Sequence, residues 1–340
     1  MKLLPRSRNN RSSPSSSYFY WFDPTRTAPS GSAPSLPCIG MRLRAYLWIV
    51  LFLSSCGGDR SSELATVHPV ADDMGRTVSL PHVPGRIVSL SPHVTEILFA
   101  LGLDSSIVGV TDYCDFPPSV RNIPRVGGLS NPNLEKLVEL GPDVVIMTVS
   151  GNTRQDFESL ERLNLAVFVT NPRNLSGVFD SIRRIGVLTG RAQAGDSLAS
   201  LLRKRADSLT AFAATRRNIP TLFLLSIQPI ISIGKETFLD ELIRLAGGTN
   251  VSSGSSIAYP LLSKEEILQR APEVIVVSSD VAASPDDVAH ALRGLSTVPA
   301  VAHKRITIVE ADLVSRPGPR IVDGLATIIK ALHDTSGLRH

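Results

Sequence analysis

The sequence predicts an α/β protein of two similar βα lobes with parallel-type sheets, joined by one long connecting helix. Three observations lead there. Short apolar, β-branched runs alternate with helical segments from residue 86 to about 170, and again from 221 to the end, which is the pattern of parallel βαβ units. A long, highly charged helical stretch over 192–213 separates the two blocks. Finally, residues 134–146 align without a gap over 264–276: each is a short helix, a Pro turn (Pro142, Pro272), an acid (Asp143, Glu273) and a strand, with one Glu seven residues before the Pro. The 340 residues accommodate about two domains of roughly 150 each.

In chain order, 73–78 reads as a turn entering a short strand that Pro81 and Pro84 break. Strands follow over 86–90, 107–110, 144–148 and 166–169. Helices over 95–101 and 134–140 stop at Gly102 and Gly141-Pro142, and a third covers 154–163. The stretch 175–188 is helical, Gly190 interrupts, and 192–213 forms a second, polar-faced helix. That is how a rigid connector would look, although an ordinary surface helix would read the same. The second block has strands over 221–227, 274–277 and 306–309, and helices over 237–246, 267–270 and 319–332. The binding lobes are therefore expected over 73–172 and 217–336, with the connecting helical segment over 173–216.

The chain ahead of the first lobe has a different character. Arg42 and Arg44 precede a short apolar run, 45–53, too short to span a bilayer. Leu53-Ser54-Ser55-Cys56 then resembles a lipobox, followed by a polar spacer. The expectation is a lipoprotein signal peptide over 41–55, lipidation of Cys56 and a tether over 56–72. Residues 1–40, rich in Ser, Pro and Arg, cannot bury a core and read as a non-native or disordered leader, with translation starting at Met41.

Charge follows the same division. The chain carries +4 overall, but seven bases against one acid lie before Cys56, so the remainder is net −2. No basic patch with interleaved aromatics remains to bind nucleic acid. With Cys38 upstream and Cys56 lipidated, Cys114 stands alone, so no disulfide framework or cysteine metal site is expected.

Glu135 and Glu265 occupy the second positions of the echoed helices, behind Asn133 and Ser263 as N-caps, with Ser263 and Glu266 fitting a capping box. Either one alone would simply complement a helix dipole. As a pair, one per lobe, they would lie on one rim and suit docking to a two-fold partner bearing basic residues. They would sit too far apart for acid/base work on one bond.

In open α/β sheets ligands bind beyond the carboxyl ends of the strands. The corresponding loops are Ser91-Pro92-His93, 111–115 with Tyr113, Gly127-Gly128-Leu129-Ser130, 256–260 with Tyr259, and 311–316 with Asp312 and Arg316. Their mix of small, aromatic and few polar residues suits a cleft. His93, in a turn, could ligate a metal or be a hydrogen-bonding surface residue. Tyr113 could stack on a flat ligand, ligate iron through its phenolate, or be a partly buried core aromatic. No nucleophile elbow, P-loop or H-E-x-x-H occurs. Nothing activates Cys114, so the chain is not expected to be an enzyme or to hold an intrinsic cofactor or metal.

These residues resemble a known family. The run Arg86-Ile87-Val88-Ser89-Leu90-Ser91-Pro92-His93, the run Val108-Gly109-Val110-Thr111-Asp112-Tyr113, and Val126-Gly127-Gly128 with Asn131-Pro132-Asn133-Leu134-Glu135 are similar to periplasmic binding proteins of the BtuF type, the class III substrate-binding proteins of ABC importers. Gly234-Lys235-Glu236, Ala246-Gly247-Gly248-Thr249-Asn250 and Ser263-Lys264-Glu265 continue the match to about Pro319-Arg320. The resemblance implies two lobes on one long helix, with a cobalt corrinoid, or else haem or a ferric siderophore, held between them. It implies pocket positions at Tyr113, Tyr259, Asp312 and Arg316, and docking of Glu135 and Glu265 to arginines of a permease dimer that works with ATPase subunits. Where corrinoid binders of the family place tryptophans, this chain has Leu129 and the region of Thr148. The expected product is a monomeric, extracytoplasmic, membrane-anchored lipoprotein. A structural or signalling lipoprotein on the same fold is the other reading.

Overall fold

The computed structural model describes residues 69–333. The leader, the signal peptide, Cys56 and the tether as far as residue 68 lie outside the described residues. The last residues assigned to the tether fall within them and are structured. Val70–Ala71 (β1) pairs antiparallel with Thr77–Val78 (β2). Buried Asp72 organises the turn between them. Its carboxylate accepts the N–H groups of Met74 and Arg76 and meets the Arg76 guanidinium at 2.6 Å. Regular structure thus extends ahead of the expected boundary at 73, because Asp72 finds a partner the spacing did not reveal.

The first sheet comprises Ile87–Ser89 (β3), Ile107–Val110 (β4), Val144–Thr148 (β5) and Val167–Thr170 (β6), in the order β4-β3-β5-β6 and parallel throughout. Helices Pro92–Ala100 (α1), Leu134–Leu140 (α2) and Arg154–Arg162 (α3) lie between its strands. The helix placed over 95–101 begins three residues earlier, because Pro92 serves as a first-turn residue.

Two helices follow, Leu175–Leu188 (α4) and Ala192–Ala214 (α5). Gly190, at φ 70°, ends α4, and the next amide returns to Gly186 O. The helices then pack closely along their glycines: a Cβ on Gly195 would lie 3.2 Å from Gly186 Cα.

The second sheet is built on Ile219–Ile227 (β7), with Ile230–Ser232 (β8), Gly248–Asn250 (β9), Val274–Ser278 (β10) and Ile306–Val309 (β11). Strand β7 pairs in parallel with β9 and β10, and β10 with β11, while β8 is antiparallel to the far end of β7. The parallel order β9-β7-β10-β11 repeats β4-β3-β5-β6. Helices Phe238–Leu245 (α6), Lys264–Arg270 (α7), Pro285–Ala291 (α8), Pro299–Ala302 (α9), Ala311–Ser315 (α10) and Ile321–His333 (α11) complete this lobe. β1, β8, β9, α8, α9 and α10 were not foreseen, and the stretch 311–316, expected as a loop, is helical over Ala311–Ser315. They are too short or too weakly patterned to show a period.

Both faces of the second sheet are covered, which explains its unbroken apolar strands. Phe223, Val274 and Val276 join a core that runs through α4, α5 and α11 to Ile87 and Phe168 of the first lobe. Leu222, Leu224, Ile275 and Val277 face a second cluster with Val288 and Leu292. Adjacent strand residues serve opposite cores, as the two-residue period of a strand demands.

The echoed segments match in three dimensions. Both α2 and α7 end on a left-handed residue, Gly141 (φ 49°, ψ 59°) and Ala271 (φ 44°, ψ 58°). Asp143 accepts the amides of Gly85 and Arg86, ahead of β3, and Glu273 takes the Arg217 guanidinium, ahead of β7. Alanine is strained where glycine fits, by about 1–2 kcal/mol. Ala271→Gly should therefore stabilise the protein by roughly 0.5–1 kcal/mol, once the greater freedom of Gly in the unfolded chain is counted. Urea unfolding of the two proteins tests this, and a lower midpoint for the variant would contradict it.

Candidate functional site

The carboxyl ends of both sheets point to one set of loops. The backbone of α1 starts directly from β3: Ser91 is its N-cap and Pro92 opens it. Beneath the loops lies a hydrogen-bonded polar floor. Ser89 Oγ donates to Ser91 O at 3.0 Å, and Thr95 Oγ1 lies 2.8 Å from Ser89 Oγ. Ser91 Oγ stands 2.8 Å from His93 Nδ1. Buried Cys114 is 3.2 Å from the hydroxyls of Thr95 and Thr111, and burial pushes its thiol up, so it is a core group.

Ser91 and His93 were expected on the ligand surface, and His93 as a metal ligand or surface residue of a turn. The structure corrects this. Both are buried, in the N-cap and first helical turn of α1. The reason is a close backbone approach: a Cβ on Gly318 would come within 3.2 Å of His93 Cβ. Burial, and secondarily the nearby Arg316 charge, lower the His93 imidazole to about 3. Its Nε2 has no hydrogen-bond partner among the described residues. In the unfolded chain the same imidazole titrates near 6.5. A depressed histidine favours folding fully above the unfolded value and loses that advantage as pH falls toward the folded one. Stability should therefore drop between pH 6.5 and 3 by up to about 1.4 kcal/mol per pH unit. His93→Gln should flatten that drop. Equal losses for both proteins in urea unfolding at pH 7 and 4.5 would remove the assignment.

The other expected residues are accessible to different degrees. Tyr113 and Tyr259 expose 58% and 46% of their surface, so neither ring is a core aromatic. Burial of part of the Tyr259 ring raises its phenol. Ser130 is exposed, while Pro92 and Leu129 are half-buried. Leu129 lies against Gly151, and its carbonyl accepts from Asn152 Nδ2 at 2.6 Å. Asn152, whose Oδ1 accepts the Thr148 amide at 2.8 Å, ties that loop to the end of β5 and was not singled out in the sequence.

The strongest feature of the site is an ionic network across the lobes. Arg316 meets Asp115 at 2.5 Å, Asp312 at 2.9 Å and Glu96 at 3.5 Å. Arg320 grips Glu96 with two bonds, of 2.7 and 3.0 Å, and lies 3.9 Å over the Phe116 ring. Glu96, Asp115 and Phe116 belong to the first lobe, and Asp312, Arg316 and Arg320 to the second. The Arg316 guanidinium holds the Asp115 carboxyl below its usual range, whereas burial raises that of Asp312. Sequence reading reached Asp312 and Arg316 but not Glu96 or Arg320. One signal was available, a lone acid inside the apolar run of α1.

Glu135 and Glu265 are exposed, and neither makes an ion pair among the described residues. Asn133 and Ser263 cap their helices as expected, the latter in a full capping box with Glu266. The Asn133 amide bonds to Val126 O, and Val126 N bonds to Val110 at the end of β4. Leu262 N bonds to Ile230 O, beside the end of β7. Both glutamates thus stand at the carboxyl ends of their sheets, as the ligand loops do.

Two matched parallel sheets, a helical connector and loops converging between lobes define a two-lobed substrate-binding protein. The chain belongs to the periplasmic binding protein family, which it matches over residues 87–313, within the superfamily that includes BtuF-type, haem and iron-siderophore binders. Its relatives are binding proteins and not enzymes. It is 30% identical over 249 residues to a vitamin B12-binding protein of Vibrio cholerae, an alignment covering 73% of this chain and 89% of that protein. It is 27% identical over 258 residues to one of Photorhabdus laumondii, covering 75% and 90%. The crystal structure of the periplasmic vitamin B12-binding protein BtuF of Vibrio cholerae superposes with a TM-score of 0.66 at 28% identity, covering 75% of this chain and 99% of that one. The apo periplasmic haem-binding protein RhuT from Roseiflexus superposes at 0.67 with 26% identity, covering 73% and 98%.

Proposed function

We propose that this chain captures a corrinoid of the cobalamin type between its lobes and delivers it to the permease dimer of an ABC importer, acting as a monomeric extracytoplasmic lipoprotein. The observation that carries this reading is the exposure of Tyr113, on the loop after β4 in the first lobe, and of Tyr259, on the segment that pairs beside β8 in the second. Each ring offers a flat apolar face with a polar tip, as a large macrocycle with a hydrogen-bonding rim requires. In this reading Leu129, Ser130 and Pro92 would border the ligand, and Asp312 and Arg316 would form the charged edge of its site. The similarity to vitamin B12-binding proteins supports the cargo.

A haem or ferric siderophore is the second reading, favoured by the likeness to a haem-binding protein and by the accessible Tyr113 phenol. His93, being sealed, is a poor axial ligand. The deciding experiment mixes the purified protein with cobalamin, cobinamide, haem and ferric siderophores, then records visible spectra after desalting. Retention of cobalamin or cobinamide bears out the proposal. Retention of only haem or a siderophore shifts it to the second reading, and retention of none rejects both.

Anchoring would come from Cys56, since several acyl chains on one residue hold firmly at about 0.8 kcal/mol per buried CH₂. Cys56→Ser should release the protein from membranes or stall its maturation. Unchanged membrane fractionation would count against a lipid anchor.

A further inference from the structure

We propose that Asp115 and Asp312 set the charge specificity of the cleft: by occupying the Arg316 guanidinium from both lobes, they make the site accept an uncharged, amide-edged macrocycle and turn away one bearing free carboxylates. The inference rests on the reading of this cleft as the ligand site, and it adds the residues that choose between ligand classes.

The argument is one of charge and partners. A carboxylate-bearing ligand needs an unengaged guanidinium or ammonium, because arginine holds such groups through paired N–H donors. Arg316 is a cation on the second-lobe side of the cleft, and both its terminal nitrogens are taken. Nη1 faces Asp115 and Glu96, and Nη2 faces Asp312 and the second oxygen of Asp115 at 3.2 Å. Arg320 is committed to Glu96 by two bonds, with Glu310 at 3.9 Å. Four carboxylates therefore surround two guanidiniums, leaving an excess of negative charge. Nearby Asp112 is exposed and adds to it.

The remaining bases at this end do not reverse the balance. Arg125 donates to the carbonyls of Thr111 and Cys114, and Lys235 stands 3.8 Å from Glu236. Arg173 stands exposed on the loop leaving edge strand β6, and with it counted the acids named here still outnumber the bases. An entering carboxylate would meet like charge in a partly desolvated cleft, where screening is weak. An amide meets no such penalty and can accept from or donate to the same groups.

Haem and haem dimethyl ester test this directly, because they share ring, metal and shape and differ only in two carboxylates. Absorbance titrations of the full chain should show the ester binding at least tenfold more tightly than haem at low salt, with the gap shrinking as salt is added. In Asp115→Asn/Asp312→Asn, which leaves Arg316 only its longer contact with Glu96, haem should gain at least tenfold while the ester changes less than threefold. Asp115→Asn alone, at a largely exposed side chain, should move the same way and guards against misfolding of the double variant. Equal binding of haem and its ester by the unaltered protein, or a ratio that neither variant changes, would overturn the proposal. Cyanocobalamin in parallel separates the two claims: its failure to bind, with the ester preference intact, rejects the corrinoid cargo but keeps the charge selection. Failure of all three ligands to bind rejects both.

Discussion

Glu96→Ala is expected to destabilise the protein by about 3 kcal/mol and to loosen one lobe from the other. The side chain of Glu96 is 3% exposed, and it receives Arg320 bidentately and Arg316 at 3.5 Å. Removing one partner of a buried pair typically costs about 3–5 kcal/mol, because the remaining charge is left uncompensated. Arg320 keeps 18% of its side-chain surface in contact with solvent, which places the expectation at the lower end. Glu96→Ala with Arg320→Ala should recover part of the loss, since neither charge is then stranded. Urea unfolding measures the first effect. Distances between spin labels on the two lobes measure the second, and should broaden in Glu96→Ala. A single variant that unfolds at the wild-type midpoint would deny the network its structural role.

The largest functional effect should come from Glu135→Ala with Glu265→Ala. The two carboxylates are exposed, unpaired with any base among the described residues, and set at the carboxyl ends of matched sheets. Three residues on, Val138 and Leu268 are also exposed, at 51% and 47%, so each lobe tip offers an acid beside an aliphatic side chain. A dimeric permease presenting basic residues with two-fold symmetry would let each Glu meet its own Arg. Losing one partner of such an interfacial pair costs about 2–5 kcal/mol, so the double variant should abolish uptake. Ligand affinity should stay within about twofold, because the glutamates lie outside the network around Arg316. Normal uptake would refute docking through these residues, and lost ligand binding would move them into the cleft.

Much of this was legible along the chain because it is local. The echoed segments were readable from a capping residue, an acid, a Pro and an apolar strand, all within fourteen positions, and the structure gives both a side-chain N-cap and a left-handed end. The strands over 144–148 and 274–277 were readable because both faces are buried and the runs are continuously apolar. Strands β8 and β9 were not, since three residues carry no period. His93 misled for a related reason. A histidine after Ser-Pro looks like a turn residue unless one knows that Gly318, far along the chain, lies on top of it.

By itself, the sequence determined the two-lobed α/β plan, the helical connector and the paired glutamates, because helix, strand and cap preferences act over a few neighbouring residues. The tertiary structure alone decided which charges meet and which groups are sealed. Glu96 and Arg320 are 224 positions apart, and no periodicity links them. Their pairing, the engagement of Arg316 and the neutrality of His93 depend on distance and burial in space, and Coulomb interaction and desolvation respond to those quantities rather than to spacing along the chain.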